Sequence, residues 1–391
     1  MKGVGIGWSI NWVSGWGIYG TNLTLQLAKR KPYHPLWLMP PTVTLDELNP
    51  LHRVFFQPIF QGQQDLLNLL SNPQNKQFSC DFTILYAMGK DFAPSLPHIT
   101  GKKRIGVVFC EDSRLTPNAI QQANTYDLII AGCTWNEKIF KNHGLKNVCK
   151  VLQGVDPTLF HPAPKSNLFA DRFVIFSGGK LEYRKGQDIV VAAFKHFHAR
   201  HPEALLLIAW HNFWVKSMAG LEQTGHVIGL PKIDSNRRLQ IGEWLIENGI
   251  PAHAIIDLGI VPNHQIGQIL READVAVFPN RCEGGTNLVA MECLACGIPT
   301  VLSVNTGHLD LIDDTHCYPL HHQGKVFPSG FFNSVEDWGE SDVEEVVECL
   351  EEIYRDRQTA QQRGHRAAQF MQNLTWENQI TRLLAVVDDL L

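Results

Sequence analysis

The chain has 391 residues, 44% of them apolar and 19% charged, with no low-complexity tract. That composition excludes a disordered chain, and the length exceeds one ordinary core, so two domains are expected. Net charge is −5, with no basic excess that would suit nucleic acid. Strands are expected at Val4–Trp8, Leu36–Met39, Phe82–Tyr86, Arg104–Phe109, Asp127–Ala131 and Val148–Val151. After the first strand, Gly15 to Gly20 reads as a flexible glycine loop, followed by an amphipathic helix over Thr21–Lys29. Residues 154–166 carry three prolines and no periodicity, so they read as a linker. The alternation then restarts, with strands at Arg172–Ser177, Ala204–Ala209, Ala254–Gly259, Val275–Pro279 and Thr300–Ser303. Helices are expected at Gln187–Arg200, Ile266–Arg271 and Leu288–Ala295. Residues 211–250 read as an irregular insertion with one helix, Ser235–Asn248. From Asp342 the chain is helical, with a break near Asn373-Leu374-Thr375. Strand–helix alternation of this kind builds parallel sheets covered on both faces, and two such halves place a ligand cleft between them.

Charge is unevenly spread. Residues 1–165 hold 16 Lys and Arg against 10 Asp and Glu, a net +6, and the remainder holds 18 against 29, a net −11. A basic first half, including Lys102-Lys103-Arg104, fits an anionic acceptor or an anionic membrane surface. Nine cysteines are scattered without framework spacing, which points to a reducing, cytoplasmic setting. The Cys293/Cys296 pair lies within a helix and lacks a partner pair, so buried thiols are expected there instead of zinc. The apolar first twenty residues lack a small-x-small site and are not expected to be a signal peptide. No run of about 18 apolar residues occurs, so any membrane contact would be peripheral, at the inner face.

Two segments carry chemistry. In Phe278 to Thr300, Glu283 stands at a strand exit and Glu292 on the following helix. Between them Gly284-Gly285-Thr286-Asn287-Leu288 brings backbone N–H groups to a helix N-terminus, an anion site. Carboxylates that accept from sugar hydroxyls beside amides that hold phosphate suit a sugar nucleotide. The second segment runs from Phe176 to Gly186, where a strand ends in glycines and Lys180 and Lys185 flank a loop. Two cations there suit a diphosphate leaving group; a solvated charge is the plainer reading of either one, and Arg184 receives no role.

Together these segments resemble the retaining glycosyltransferases of family four, the group 1 transferases with the GT-B fold. The similarity rests on Gly15–Gly17, on Val151 to Asp156 with Phe160-His-Pro162, and on Lys180-Leu with Lys185-Gly186. It continues through Ala273 to Pro299, Gly307 to Asp310, and Leu374-Thr-Trp376-Glu377. The resemblance implies two Rossmann-like domains, residues 1–163 for the acceptor and 164–373 for the donor, with a final helix over 374–391 crossing back to the first. It implies hexosyl transfer from a UDP- or GDP-linked sugar to a glycan or lipid-linked acceptor, by a front-face route and without metal. Lys180 and Lys185 would bind the diphosphate, Glu283 the donor sugar and Glu292 the ribose. Gly15, Gly17, Gly285, Thr286, Asn287 and Leu288 would complete the phosphate cradle.

The chain departs from the family pattern at four places. Its two glutamates are nine residues apart instead of eight, and Lys180 replaces an arginine. Residues 211–250 are inserted. Cys110-Glu111-Asp112 stands where the family often has a histidine, and Glu111 there is either a general base or an N-cap for the next helix. The metal-binding Asp-x-Asp of the other main transferase fold is missing. Trp8, Trp12 and Trp16 fit core packing better than stacking on an acceptor sugar. The alternatives are a GT-B epimerase or phosphorylase, or a non-catalytic binding domain.

Overall fold

A computed structural model describes residues 2–42, 49–70 and 77–391; of the residues read above, Met1 lies outside that range. The chain separates into two compact units. One comprises Met1–Cys110, Arg114–Gly154 and Leu374–Leu391, the other Glu111–Ser113 and Val155–Asn373. The division falls at Gly154, the first residue of the proline-bearing segment 154–166. Arg271 is the reason: its guanidinium donates to the Leu159 carbonyl (2.8 Å) and the His161 carbonyl (3.1 Å), which ties the proline segment to the second unit.

In the first unit, β1 (Lys2–Ile6), β2 (Tyr33–Trp37), β3 (Thr83–Met88), β4 (Arg104–Val108), β5 (Leu128–Ala131) and β6 (Val148–Lys150) form one parallel sheet. Their order is β2-β1-β3-β4-β5-β6. Ile84, Leu85, Ile105, Val107, Ile129 and Ile130 are all buried, the continuous apolar runs of strands covered on both faces.

Gly15 to Gly20 is not a loop. It is the first turn of helix α1 (Gly15–Ala28), capped by Ser14, whose hydroxyl accepts from the Gly17 N–H. Close packing, not flexibility, explains Gly17 and Gly20. A Cβ on Gly17 would lie 2.2 Å from the Asn11 side chain, and one on Gly20 would lie 2.6 Å from the Trp8 indole nitrogen. Trp8 and Trp12 are buried, and Trp16 packs edge-on against Phe109 at 4.8 Å, as core residues do.

The second unit holds β7 (Phe173–Lys180), β8 (Ala204–His211), β9 (Ile255–Asp257), β10 (Val275–Phe278), β11 (Thr300–Ser303) and β12 (Tyr318–Leu320). They too are all parallel, in the order β9-β8-β7-β10-β11-β12. Chain direction across the sheet reverses between β7 and β10, so the carboxyl ends of those two strands flank a topological switch point, where open α/β sheets bind ligands. Lys180 ends β7, and the loop bearing Glu283 leaves β10. Helices α2 (Gln187–His198), α3 (Asn263–Leu270) and α4 (Leu288–Ala295) follow these strands.

Residues 211–250 do not form a surface appendage. Their helix is short, Ile241–Glu247, and Met218, Leu221, Val227, Trp244 and Leu245 are buried in the main core of the unit with Phe194 and Trp210. The irregular course is imposed by that packing, which no 3.6-residue period records.

Near the C-terminus, α5 (Val343–Arg355) and α6 (Arg357–Met371) belong to the second unit, and α7 (Trp376–Val387) belongs to the first. Trp376 stacks on Tyr19 at 5.4 Å, and Lys2 pairs with Asp388 at 2.7 Å, so the last helix closes the first unit. Among the described residues no helix is long and apolar enough to cross a membrane.

Candidate active site

The segment after β7 folds tightly. Glu182 leads into a single turn over Tyr183–Lys185, and Gly186 then takes the left-handed conformation (φ 66°) to start α2. The turn packs alternating charges against the loop after β10. Lys185 Nζ is ion-paired with Glu283 Oε1, and Arg184 Nη1 reaches Glu283 Oε2 at 3.0 Å. Arg184 Nε lies 2.8 Å from Glu182 Oε2 and 3.5 Å from Glu111 Oε1, while Lys180 Nζ lies 3.1 Å from Glu182 Oε1. Lys180, Arg184 and Lys185 therefore face Glu182, Glu283 and Glu111 in one connected cluster.

Burial sets the strength of these pairs. Glu283 is buried, which alone would favour the neutral acid, yet Lys185, Arg184 and His308 hold its pKa down at about 2. It is ionised at any ordinary pH. Burial lowers the pKa of Lys185, Arg184 beside it acts in the same direction, and Glu283 opposes both. The pKa of Glu111 is raised by burial, with Glu182 and Glu283 adding to the shift and Arg184 and Lys180 opposing it.

A second network fixes the loop Glu283–Asn287. The Glu283 N–H donates to Thr306 Oγ1 (2.8 Å), and the Gly307 N–H donates to the Glu283 carbonyl (3.1 Å). A Cβ on Gly307 would lie 1.7 Å from the Gly285 carbonyl oxygen, so only glycine permits this approach. Asn287 caps α4 at φ 61°, and Thr306 sits at φ 40°, two non-glycine residues held in the left-handed region. Asn287 Nδ2 donates to His308 Nε2 (3.1 Å), leaving the ring proton on Nδ1 to reach Ser303 Oγ at 3.0 Å. Burial holds His308 at a pKa of about 4, which keeps that imidazole neutral. Gly285, Thr286 and Leu288 thus enter α4 on a rigid path, and the first amides of a helix have no partner within it.

Glu292 points elsewhere. It is buried on α4, accepts from Asn263 Nδ2 on α3, and burial raises its pKa to about 8. The chain therefore holds one ionised and one protonated glutamic acid on either side of the α4 N-terminus.

The structure brings Lys180, Lys185, Glu283 and Glu111 together, and it sets Gly285, Thr286, Asn287, Leu288 and Glu292 along the adjoining loop and helix. Gly15 and Gly17 open α1 in the first unit, after β1 and next to that sheet's own reversal point between β1 and β3. The N-cap reading of Glu111 is overturned, because the following helix, Pro117–Ala123, is capped by Thr116. The Glu111 carbonyl instead accepts from Trp338 Nε1 at 2.8 Å. Sequence reasoning missed Arg184, the centre of the cluster; its signal was the alternation Lys-Leu-Glu-Tyr-Arg-Lys directly after a buried strand. It also missed Asn263, which no local pattern marks, and Arg281. The last is fully buried and doubly paired with Asp188 (2.8 and 2.6 Å) and with Glu340, fixing the loop from beneath.

Residues 262–383 match the family model "Family 4 Glycosyltransferase in conflict systems". Two curated relatives are similar over the same order of length. One is the GDP-mannose-dependent alpha-(1-6)-phosphatidylinositol monomannoside mannosyltransferase of Mycolicibacterium smegmatis, 26% identical over 174 residues, 41% of this chain and 39% of that protein. The other is the D-inositol 3-phosphate glycosyltransferase of Stackebrandtia nassauensis, 28% identical over 176 residues, 42% of this chain and 34% of that protein. The match thus spans little more than a third of either relative. Among solved structures, sucrose-phosphate synthase of Thermosynechococcus elongatus aligns with a TM-score of 0.67 at 16% identity, covering 100% of this chain and 99% of that one. Anabaena HepE in complex with UDP aligns at 0.61 and 15% identity, covering 99% and 100%. Those two likenesses establish the fold.

Proposed function

We propose that the chain, which has the GT-B fold and matches a family 4 glycosyltransferase model over residues 262–383, is a group 1 glycosyltransferase that moves a hexosyl unit from a nucleoside-diphosphate sugar to an acceptor with retention of configuration. The observation that supports this most is the Lys185–Glu283 ion pair at the carboxyl ends of β7 and β10, beside the α4 N-terminus. As the glycosidic bond to the donor breaks, negative charge grows on the diphosphate. Lys185, Lys180 and the amides of Gly285, Thr286 and Leu288 supply fixed positive potential for it, and a buried setting magnifies their effect. No divalent metal is needed for that role in this reading. Glu283, held ionised and oriented by two cations, accepts from hydroxyls of the transferred sugar. Glu292, protonated near neutrality, has both a donor and an acceptor for the ribose hydroxyls.

In the front-face route, the acceptor oxygen attacks on the side from which the diphosphate departs, and the departing phosphate oxygen takes the acceptor proton. Among the carboxylates of the cluster, the side chain of Glu111 is 29% exposed while those of Glu182 and Glu283 are each 5% exposed. In this reading Glu111 is the carboxylate that accepts a hydrogen bond from the acceptor hydroxyl and orients it toward the phosphate oxygen that takes its proton. Relatives that use GDP-mannose or bind UDP make GDP- and UDP-hexoses the first donors to try. The relatives named for a phosphatidylinositol mannoside and for inositol 3-phosphate, with the basic first 165 residues, favour an anionic acceptor.

The test is incubation with UDP-glucose and GDP-mannose, each with inositol phosphates and simple glycosides as acceptors, following release of the nucleoside diphosphate and the anomeric proton by NMR. An α-linked product from these α-linked donors is expected. A β-linked product would refute retention, and no release from either donor with any acceptor would refute the donor assignment.

A further inference from the structure

Two large aromatic side chains stand in solvent beside the cation cluster. Phe213 is 58% and Trp214 59% exposed, immediately beyond β8. Exposed aromatics on a floppy loop would be unremarkable, but this turn is stapled down. The Trp214 N–H donates to Asn212 Oδ1 (2.6 Å), and Asn212 Nδ2 donates to the Leu181 carbonyl (2.6 Å) and to Ser217 Oγ (3.0 Å). The Ser217 N–H in turn donates to the Trp214 carbonyl at 2.9 Å. Asn212 and Ser217 are both buried, so the indole is displayed from a fixed base.

The indole is also aimed. Lys180 Nζ lies 5.1 Å from its ring centroid, and Phe213 packs edge-on to it at 6.3 Å and 86°. His211, directly opposite Lys180 in the β7–β8 register, lies 5.5 Å from Phe213 with the two rings tilted by 59°. Burial and the Lys180 charge lower its pKa to about 4, so it adds an uncharged ring to the group. The aromatics therefore border the end of the cluster formed by Lys180, Glu182 and Arg184, which reaches Glu283. Glu292, on α4, is held instead by Asn263 of α3.

Resting on the donor assignment above, we propose that Trp214, braced by Phe213, is the stacking platform for the sugar ring of a carbohydrate acceptor. The C–H face of a pyranose covers an indole as another ring would, removing apolar surface from water on both sides, while its hydroxyls remain free for the carboxylates nearby. A nucleobase is the competing occupant. It would be expected near the ribose carboxylate Glu292, not beside Lys180, which bears on the transferred sugar and the diphosphate.

The experiment uses the whole chain as wild type, Trp214→Ala and Trp214→Phe, with methyl α-D-glucopyranoside and methyl α-D-mannopyranoside as probes in the presence of UDP or GDP. Saturation-transfer NMR reads contact at the pyranose ring protons, and calorimetry on the same samples reads nucleotide affinity. The expected result is ring-proton transfer for at least one glycoside in the wild type. It falls at least about fivefold in Trp214→Ala and is largely kept in Trp214→Phe, with nucleotide affinity unchanged. The exposed position of the indole means that the melting temperature should not move. Equal transfer in wild type and Trp214→Ala would overturn the proposal, as would transfer absent from the nucleotide-bound wild type. A loss of nucleotide affinity in Trp214→Ala would overturn it by assigning the indole to the base. Failure of both nucleotides to bind the wild type would instead refute the donor assignment beneath it.

Discussion

At Lys185 stability and chemistry ask for the same charge. Its ammonium compensates the buried Glu283 carboxylate and, in the proposed reaction, faces the diphosphate. Lys185→Ala leaves Glu283 paired with Arg184 and hydrogen-bonded by Asn280 Nδ2, so the protein should still fold, while turnover should fall by about 10²–10³, as when one preorganised donor is removed from a transition state. Steady-state rates with the preferred donor check this. Glu283→Gln reverses the problem and leaves Lys185 and Arg184 without their shared carboxylate. Chemical denaturation near neutral pH should show a loss of about 3–5 kcal/mol, the cost of breaking a buried pair from one side. The Glu283 pKa of about 2 lies below that of an unfolded glutamate. Its contribution is therefore complete above the ordinary carboxylate range and should be lost as pH falls toward 2. Glu292 has the opposite sign. Its pKa of about 8 means the folded chain keeps a proton that the unfolded chain has already released near pH 4.5. Stability should thus fall as pH rises from about 4.5 to 8, and the stability of Glu292→Gln relative to wild type should increase across that window. A difference between the two proteins that stays flat with pH would contradict the assignment.

At the scale of elements, the approach of Gly307 to the loop at Gly285 decides whether the α4 N-terminus is in place. Gly307→Ala should cost at least about 1–3 kcal/mol, as overpacking does, and should weaken nucleotide binding, because the Glu283–Asn287 path must shift to admit a methyl group. Unchanged melting and unchanged binding together would contradict that geometry. Elements with a strong local signal were legible in the sequence. Helix α4 has the bounds expected, Leu288–Ala295, and β11 has Thr300–Ser303, since apolar runs there end at glycine and proline. The turn Gly15–Gly20 was misread because glycine content reports conformational freedom only when nothing packs on the missing side chain, and here Asn11 and Trp8 do. The individual members of the site were legible as charged residues at strand exits. Their pairing was not, because Arg184–Glu283 and Lys185–Glu283 join residues nearly a hundred positions apart. The same limit hid Asn263 from Glu292 and Asp188 from Arg281.

At the scale of the whole molecule, each unit carries its own parallel sheet, and the last helix returns to complete the first. Trp376, Ile380, Leu383 and Val387 are buried there, and Trp376 stacks on Tyr19. Deleting Leu374–Leu391 should therefore destabilise the first unit, by several kcal/mol for the four buried side chains alone. The core of the second, built from Phe173, Phe194, Trp210 and their neighbours, should be untouched. Calorimetric melting should show an early transition that is absent from the full chain, beside one that is unmoved. The acceptor reading draws on the basic first 165 residues, and the donor reading on the cluster and helix N-terminus of the second unit. The central claim lies with that cluster, and calorimetric titration of UDP and GDP into wild type and Lys185→Ala, in buffer containing a chelator, addresses it directly. One nucleotide should bind the wild type without metal and bind Lys185→Ala at least about tenfold more weakly, a difference of about 1.4 kcal/mol. Binding by neither nucleotide, or equal affinity in the two proteins, would contradict it.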